Sequence, residues 1–336
     1  MTQRPAEGPA PEAVLDRVVA VVLGGPPELT RDQASAAAGL TVEQARPYWR
    51  AMGFADVGEE RVFTHRDVEA LRVVAEWARS GVLDEARIME IVRGLGQTAS
   101  RLADWQVGTI AKVLAEAGED GPIDNDALVD GIARVLPEVE SLLVHAWRRH
   151  LAADMGRGLA TVDEAAEATD LPVASVGFAD ITGFTRLARE MGEEDLAAMV
   201  TGFEHGCADV VAKHGGRLVK TLGDEVMFVT EDPDTAVAIA AAMHGLPHEA
   251  EPLRLRIGLA TGRVITLMGD YYGETVNRAS RLTAIAKPGV TLMDPATEEA
   301  LAHPDAYVVR HLRPRALRGL GLVRTASVVP RAGTEG

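Results

Sequence analysis

The hydrophobic repeat of this 336-residue chain changes at about residue 171, and that change limits most strongly how the chain can fold. Before it, apolar residues recur every three or four positions, as in 128–151, which is typical of amphipathic helices. After it, short apolar runs alternate with helical segments. We expect a helical domain over 13–155, a polar linker over 156–170 and a second domain over 171–330.

The second domain begins with a recognisable order of predicted elements: strand, helix, hairpin, helix, strand. This order is the split β-α-β arrangement of ferredoxin-like sheets, and a further helix and strand follow it. The predicted fold class is therefore α+β, with an all-α domain followed by a ferredoxin-like domain whose sheet is mostly antiparallel. The expected strands are 173–179, 217–221, 226–230, 253–260 and 290–293, and the expected helices are 194–213, 234–243 and 275–286.

Charge and composition exclude several classes of protein. The net charge is −16, and the two halves divided at residue 160 each carry −8, so neither half offers the basic surface that non-specific nucleic-acid binding needs. Cys207 is the single cysteine, which excludes an intrachain disulfide and fits a reducing compartment. Because we find neither a signal sequence nor a membrane-spanning run, we expect a soluble, cytoplasmic protein.

Residues 30–52 of the first domain read as two short helices joined by a turn, with Thr30 and Thr41 as N-terminal caps. A hairpin-like segment over 58–64 follows, so the region looks like a winged helix-turn-helix. Its second helix has only two arginines and contains Pro47. A structural or regulatory role is therefore favoured, and DNA binding is the alternative.

The first chemical motif of the second domain is Phe178-Ala179-Asp180-Ile181-Thr182-Gly183-Phe184-Thr185. A carboxylate at the end of a buried strand, followed by a glycine-containing turn into a helix, places an oxygen ligand beside unpaired backbone N–H groups. That combination suits Mg²⁺ together with a polyphosphate. The alternative is that Asp180 only caps the helix.

Two further motifs follow along the chain. Lys220-Thr221-Leu222-Gly223-Asp224-Glu225 sets Asp224 at the hairpin turn, and a ferredoxin-like sheet brings this hairpin beside the strand of Asp180, near enough to share two metal ions. Lys220 is displaced along its strand from Asp224.

In the third motif, residues 270–281, Asn277 and Arg281 are four residues apart and share one helix face, although a solvated helix face would show the same spacing.

With these three motifs, the stretch from about Val173 to Val329 resembles a class III nucleotidyl cyclase. The resemblance implies a homodimer in which two catalytic domains pack head to tail, with ATP between them and two ions, Mg²⁺ or Mn²⁺, in each site. It implies metal binding by Asp180, Ile181 and Asp224. The other subunit would read the base with Lys220 and Asp270, and would orient the ribose and stabilise phosphate charge with Asn277 and Arg281. Further implied substrate contacts are Thr182, Gly183, Phe184, Arg263 and Arg318.

Hydrogen-bond complementarity favours ATP over GTP. Adenine presents an acceptor at N1 beside a donor at N6, which matches a lysine donor and an aspartate acceptor, whereas guanine presents the reverse order. The short stretch between Gly262 and Asp270 resembles the shortened-arm bacterial cyclases. The turn also resembles the Gly-Gly-Asp-Glu-Phe loop of diguanylate cyclases, but Leu222 and Val226 depart from it, which leaves that a minor alternative.

The whole layout is similar to soluble actinobacterial adenylyl cyclases whose helical N-terminal domain restrains the catalytic domain and responds to pH. That resemblance implies protons or a fatty acid as effectors of the first domain. Nine histidines are present, among them His65, His145 and His150 in the first domain, and none is singled out as a sensor. The rival hypothesis is a winged helix-turn-helix DNA-binding regulator whose second domain senses a nucleotide without turnover.

Overall fold

The chain divides into two compact units, Met1–Glu164 and Ala165–Gly336. The division lies within the range that the sequence assigns to a linker. The structure is a computed structural model that describes residues 11–55, 57–119, 124–164, 171–247, 253–267, 269–317 and 319–331. Among these residues, no helix carries an apolar run long enough to cross a bilayer.

The described part of the first unit is helical, as predicted. Thr30 and Thr41 begin the second and third helices, and each forms a reciprocal capping box with a glutamine three residues later. Gly39 forms the turn between these helices at a left-handed φ of +78°. The helices are α1 (Pro11–Leu23), α2 (Arg31–Ala37), α3 (Val42–Ala51), α4 (His65–Ser80), α5 (Glu85–Glu119) and α6 (Asn125–Glu164).

Two expectations for the first unit differ from the structure. The predicted hairpin over 58–64 does not form: of these residues only Phe63 makes a β-bridge, with Leu29, because its ring packs into the helical core and the polar residues before it have no partner strand. Helix α6 also continues to Glu164, through part of the expected linker. The linker was expected because this stretch has few large apolar residues. A helix can continue without an apolar face, since its backbone hydrogen bonds do not depend on one, and no proline interrupts α6 after Pro137.

The second unit is built on a seven-stranded sheet in the order β2-β3-β1-β4-β7-β11-β8. Its neighbouring strands are antiparallel except for β4 and β7, which confirms the predicted mostly antiparallel sheet. The strands are β1 (Val173–Ile181), β2 (Arg217–Leu222), β3 (Glu225–Thr230), β4 (Leu255–Arg263), β5 (Ile265–Leu267), β6 (Asp270–Tyr272), β7 (Val290–Met293), β8 (Tyr307–His311), β9 (Arg315–Leu317), β10 (Gly321–Val323) and β11 (Ala326–Pro330), and the helices are α7 (Phe184–Glu190), α8 (Glu193–Lys213), α9 (Pro233–Met243), α10 (Glu274–Ile285) and α11 (Pro295–Glu299).

Helices cover both faces of this sheet. Helices α8 and α9 pack on one face, where the buried side chains include Phe203, Phe228 and Ile239. Helix α10 packs on the other face, where Phe178 lies against Ala279 in a smaller cluster. Cys207 lies in the larger core and is fully buried, and this burial raises its pKa to about 12.

Candidate active site

Asp180 lies near the end of β1, on the sheet face that α10 covers. The strand register sets it opposite Glu225 of β3 and opposite Arg256 of β4, and directly opposed residues point to the same face. The Arg256 guanidinium donates from Nη2 to both carboxylate oxygens of Asp180, at 2.9 Å and 2.7 Å. This charge-assisted contact holds the Asp180 carboxylate in place.

Two more carboxyl groups crowd the same end of the sheet. Asp224 occupies the two-residue turn between β2 and β3, and Glu225 begins β3. Burial, and then the charge of Asp180, raise the pKa of Asp224. Burial, with the charges of Asp180 and Asp224, raises the pKa of Glu225 to about 7. Arg256 therefore only partly offsets the negative charge here, and a cation at this place would be stabilised.

The turn after β1 carries an unsatisfied polar group. The Ile181 side chain is buried, and its backbone amide donates to the Asp224 carbonyl at 3.0 Å, which ties the turn to the hairpin. Gly183 has a left-handed φ of +76° that leads into α7 at Phe184. The Thr182 Oγ1 atom between them is buried and has no hydrogen-bond partner among the described residues. Such orphaned hydroxyls are rare, and this one could bond a ligand oxygen.

Lys220 and Asp270 form a half-buried ion pair, with Nζ and Oδ2 2.6 Å apart. Lys220 is paired in register with Met227, whose side chain belongs to the α10 face, so Lys220 points to the same face as Asp180. Asp270 also accepts from the Tyr271 amide at 2.8 Å. Partial burial opposes ionisation of Asp270, but the hydrogen bonds from Lys220 and Tyr271 outweigh it and lower its pKa.

Asn277 and Arg281 both lie on the exposed side of α10. Buried Ala279 and Leu282 set which side of the helix packs on the sheet. Among the described residues, no hydrogen bond or ion pair joins Asn277 or Arg281 to the carboxylates or to the lysine described above. Within one chain, the pair on α10 and the carboxylates are therefore separate groups.

Two arginines, Arg263 and Arg318, remain among the predicted substrate contacts. Arg263 ends β4 with an exposed side chain, and its carbonyl accepts from Thr275 Oγ1 at 2.8 Å. Arg318 lies outside the described residues. The roles assigned to both arginines stay predictions.

Sequence reasoning missed Arg256 and Glu225 as members of this cluster. Arg256 lies in the alternating first half of β4, where a charged residue reads as an ordinary solvent-facing one, and Glu225 precedes the apolar run of β3, where it reads as the polar end of a strand. The available signal was the register: in a sheet where β1 lies between β3 and β4, the strand ends must bring these two charges beside Asp180.

The sequence of this chain is similar to those of known proteins. The family model described as "Adenylate and Guanylate cyclase catalytic domain" matches residues 167–328. The chain is 43% identical to an adenylate cyclase of Streptomyces coelicolor, over 87% of this chain and 77% of that protein. It is 40% identical to an adenylate cyclase of Streptomyces griseus, over 89% and 75%.

A pH-responsive relative and a solved cyclase structure are also similar to this chain. A pH-sensitive adenylate cyclase of Mycobacterium tuberculosis is 29% identical over 84% of this chain and 73% of that protein. The solved adenylyl cyclase CyaB from P. aeruginosa is 26% identical with a TM-score of 0.43, over 49% of this chain and 97% of that one.

The sheet carries two aspartates at one end, Asp180 and Asp224, and a lysine-aspartate pair on the same face, as a nucleotidyl cyclase catalytic domain would. Together with relatives that match over most of their length, it places this chain in the class III adenylyl and guanylyl cyclase family. Members of this family bind a nucleotide substrate and use divalent metal ions.

Proposed function

We propose that this protein is an adenylyl cyclase that converts ATP to 3′,5′-cyclic AMP and pyrophosphate at the interface of a homodimer. The observation that carries the proposal is the Lys220–Asp270 pair, held at 2.6 Å on the same sheet face as Asp180. A lysine donor beside an aspartate acceptor matches the N1 acceptor and N6 donor of adenine. The Streptomyces relatives, both adenylate cyclases by name, support the same base.

The donor set near Asp180 fits two Mg²⁺ or Mn²⁺ ions bound together with the substrate. Asp180 and Asp224 supply hard oxygen ligands, and their crowding with Glu225 favours a cation. Across the ranges that the structure describes, no three His, Cys, Asp or Glu side chains are grouped so that they could hold a metal by themselves. Mg²⁺ commonly binds through one or two carboxylates and completes its ligands with substrate phosphates and water.

When bound, the ions would lower the pKa of the ribose 3′-hydroxyl and neutralise charge on the α-phosphate. Side chains of the protein would bind and orient the substrate. Lys220 and Asp270 hold the base, Asn277 orients the ribose, and the Thr182 hydroxyl donates to a phosphate oxygen. The 3′-hydroxyl loses its proton to solvent, its oxygen bonds to the α-phosphorus as the bond to pyrophosphate breaks, and Arg281 stabilises the charge that develops.

A homodimer would bring these groups together. Asn277 and Arg281 face outward on α10, whereas the carboxylates belong to another part of the same surface, so a second chain could complete each site. The helical unit also exposes apolar side chains, with Trp105 67% and Trp147 54% accessible, that a second copy would cover. Others on the same two helices are Val107, Ile110, Val113, Leu142, Leu143 and Leu151.

We further propose that the helical unit, residues 13–155, regulates the dimer through the segment that joins it to the catalytic unit, with protons or a fatty acid as effector. The pH-sensitive relative from Mycobacterium tuberculosis matches 84% of this chain, which is more than the catalytic unit alone, and this supports the proton as effector. A change in helix packing between two copies would alter both sites at once.

The metal-ligand assignment is tested by Asp180→Ala and Asp224→Ala, with Asp209→Ala as the matched control because Asp209 is exposed on α8. Cyclic AMP formation in Mg²⁺ or Mn²⁺ should be lost in the first two variants, since both ions are expected to share these carboxylates, and kept in the control. Full activity of either site variant contradicts the assignment.

The dimer is tested by mixing two inactive proteins, Asp180→Ala and Asn277→Ala. A heterodimer keeps one intact site if the metal ligands and α10 come from opposite chains, so part of the activity should return. Subunit exchange is verified with differently tagged chains. Exchange without recovered activity would place both groups of one site in the same chain.

A further inference from the structure

Asp294 is a buried carboxylate that directly follows β7, with only 1% of its surface exposed. It caps α11: its Oδ1 accepts from the Thr297 amide at 2.9 Å and from Thr297 Oγ1 at 2.6 Å. Its Oδ2 accepts from Arg278 Nη1 at 3.0 Å. A carboxylate this deeply buried is stable only when it is paired, and Arg278 provides the charge.

Arg278 belongs to α10 and lies between Asn277 and Arg281, the two residues of this helix that are assigned to the site. It follows Asn277 directly and precedes Arg281 by three residues, so its side chain leaves the helix on the flank beside theirs. Its second terminal nitrogen donates to Glu274, one turn earlier. The ion pair thus ties the functional side of α10 to the beginning of α11.

The other polar anchors of α10 act on its buried side. Thr275 Oγ1 donates to the Arg263 carbonyl at 2.8 Å, and Thr283 Oγ1 donates to the Phe178 carbonyl at 3.2 Å. These bonds hold the helix axis against β4 and β1. The Arg278–Asp294 pair joins the flank of α10 to the N-terminus of α11. Because this contact lies to one side of the helix axis, it resists rotation of α10 about that axis.

We propose that Asp294 and Arg278 are positioning residues for the cyclase reaction: their buried ion pair fixes the rotation of α10 and hence the aim of Asn277 and Arg281. The inference rests on the proposed function of that pair, and neither Asp294 nor Arg278 touches the substrate. A misplacement of about 1 Å at a reacting group can cost on the order of 100-fold in rate.

Asp294→Asn tests the inference because asparagine keeps the cap of α11 while its amide cannot pair with the guanidinium. We expect kcat for cyclic AMP formation to fall about 10- to 100-fold, with KM for ATP within about twofold, because base recognition by Lys220 and Asp270 is unchanged. The melting temperature is measured alongside.

Asp232→Asn is the matched control, since Asp232 caps α9 in the same Asp-Pro-x-Thr sequence and has no arginine partner among the described residues. It should keep the kcat of the unaltered protein. Equal kcat values for the two variants, or a change in KM alone for Asp294→Asn, would overturn the inference.

Arg278→Lys keeps the result interpretable if Asp294→Asn fails to fold. Lysine retains the charge but loses the planar fork, so kcat should fall less than in Arg278→Gln, which retains only hydrogen bonding. A kcat for Arg278→Gln equal to that of the unaltered protein would contradict a positioning role.

Mixing experiments separate this inference from the dimer proposal. Asp294→Asn mixed with Asp180→Ala should recover activity, because one site then has an intact α10 and intact carboxylates. Asp294→Asn mixed with Asn277→Ala should not. Recovery in both mixtures overturns the inference, whereas a failure of Asp180→Ala to complement Asn277→Ala counts against the dimer alone.

Discussion

Lys220 reaches the proposed base pocket because of one irregularity in β2. The register with β3 pairs Leu218 with Phe228 and Lys220 with Met227, so Val219 is an extra, bulged residue. Without this bulge, strand alternation would turn Lys220 toward the α8–α9 core. One inserted residue therefore converts a core position into a binding position.

The lysine-aspartate pair predicts the preference for the base. Lys220→Glu combined with Asp270→Cys should lower the ratio of ATP to GTP turnover at least about tenfold, because the donor and acceptor order at the pocket is changed. Rates of cyclic AMP and cyclic GMP formation give the ratio. Lys213→Glu, an exposed charge reversal at the end of α8, controls for net charge. The same ratio in all proteins would show that the pair does not read the base.

His244 predicts part of the pH dependence of stability. Its Nε2 lies 3.0 Å from Thr291 Oγ1, and burial lowers its pKa below the usual 6.5. Below pH 6.5 the unfolded chain binds a proton that the folded chain resists, so the free energy of unfolding should fall as the pH drops.

Urea unfolding between about pH 5 and 7.5 measures this effect, and His244→Gln should reduce the slope because glutamine can bond Thr291 without titrating. His205→Gln, at an exposed position of α8, should keep the slope of the unaltered protein. Equal slopes for His244→Gln and the unaltered protein would contradict the assignment.

Among the elements, α10 approaches β4 so closely that only glycine fits beneath it. A Cβ atom at Gly258 would lie 2.4 Å from the Ala279 carbonyl oxygen and 2.4 Å from the Thr283 nitrogen. Both neighbours are backbone atoms of the helix, so a larger residue must displace α10 itself.

Gly258→Ala should therefore lower the free energy of unfolding by about 1–3 kcal/mol, as overpacking commonly does, and should reduce kcat as α10 shifts. Gly202→Ala in α8 is the control, because its Cβ would meet no atom within 4 Å and alanine favours a helix by about 1 kcal/mol. Chemical denaturation compares the two. A Gly258→Ala protein as stable as Gly202→Ala would refute the close contact.

The same elements show what sequence could and could not predict. Strand β7 was predicted at its observed bounds, and β1, β3 and β4 within about three residues, because their apolar residues are buried on a sheet covered on both sides. The short strands β8 to β11 and the hairpin of β5 and β6 were missed, since three to five residues of mixed polarity give no period to read.

The site residues stay predictions. Asp180, Asp224, Lys220 and Asp270 could be named as candidates because each lies in a short motif that resembles one of the cyclase family. The Arg256 contact and the bulge at Val219 depend on strand register, which long-range packing decides. The pair of Arg278 with Asp294 joins residues on different elements in the same way.

On the scale of the whole molecule, each unit has its own buried core. Trp49, Phe63 and Leu71 belong to the core of the helical unit, and Phe203 and Phe228 belong to that of the sheet unit. The catalytic unit should therefore fold without the first unit.

A truncated chain that begins at Leu171 tests regulation by the helical unit. We expect its cyclase activity to differ from that of the full chain and to lose part of the pH response between about pH 5 and 8, because the bias between dimer arrangements is removed. Identical specific activities and pH profiles would contradict regulation. Tight, sequence-selective binding of duplex DNA by the full chain would favour the rival regulator.

The buried thiol of Cys207 makes the molecule convenient for spectroscopy. Maleimides and similar reagents attack the exposed thiolate, and a fully buried group with a pKa of about 12 presents almost none. A cysteine introduced at an exposed position such as Val82, outside the apolar surface assigned to the dimer, would then take up a spin label or fluorophore alone. Distances between two labelled copies could be followed during turnover with the native cysteine left in place.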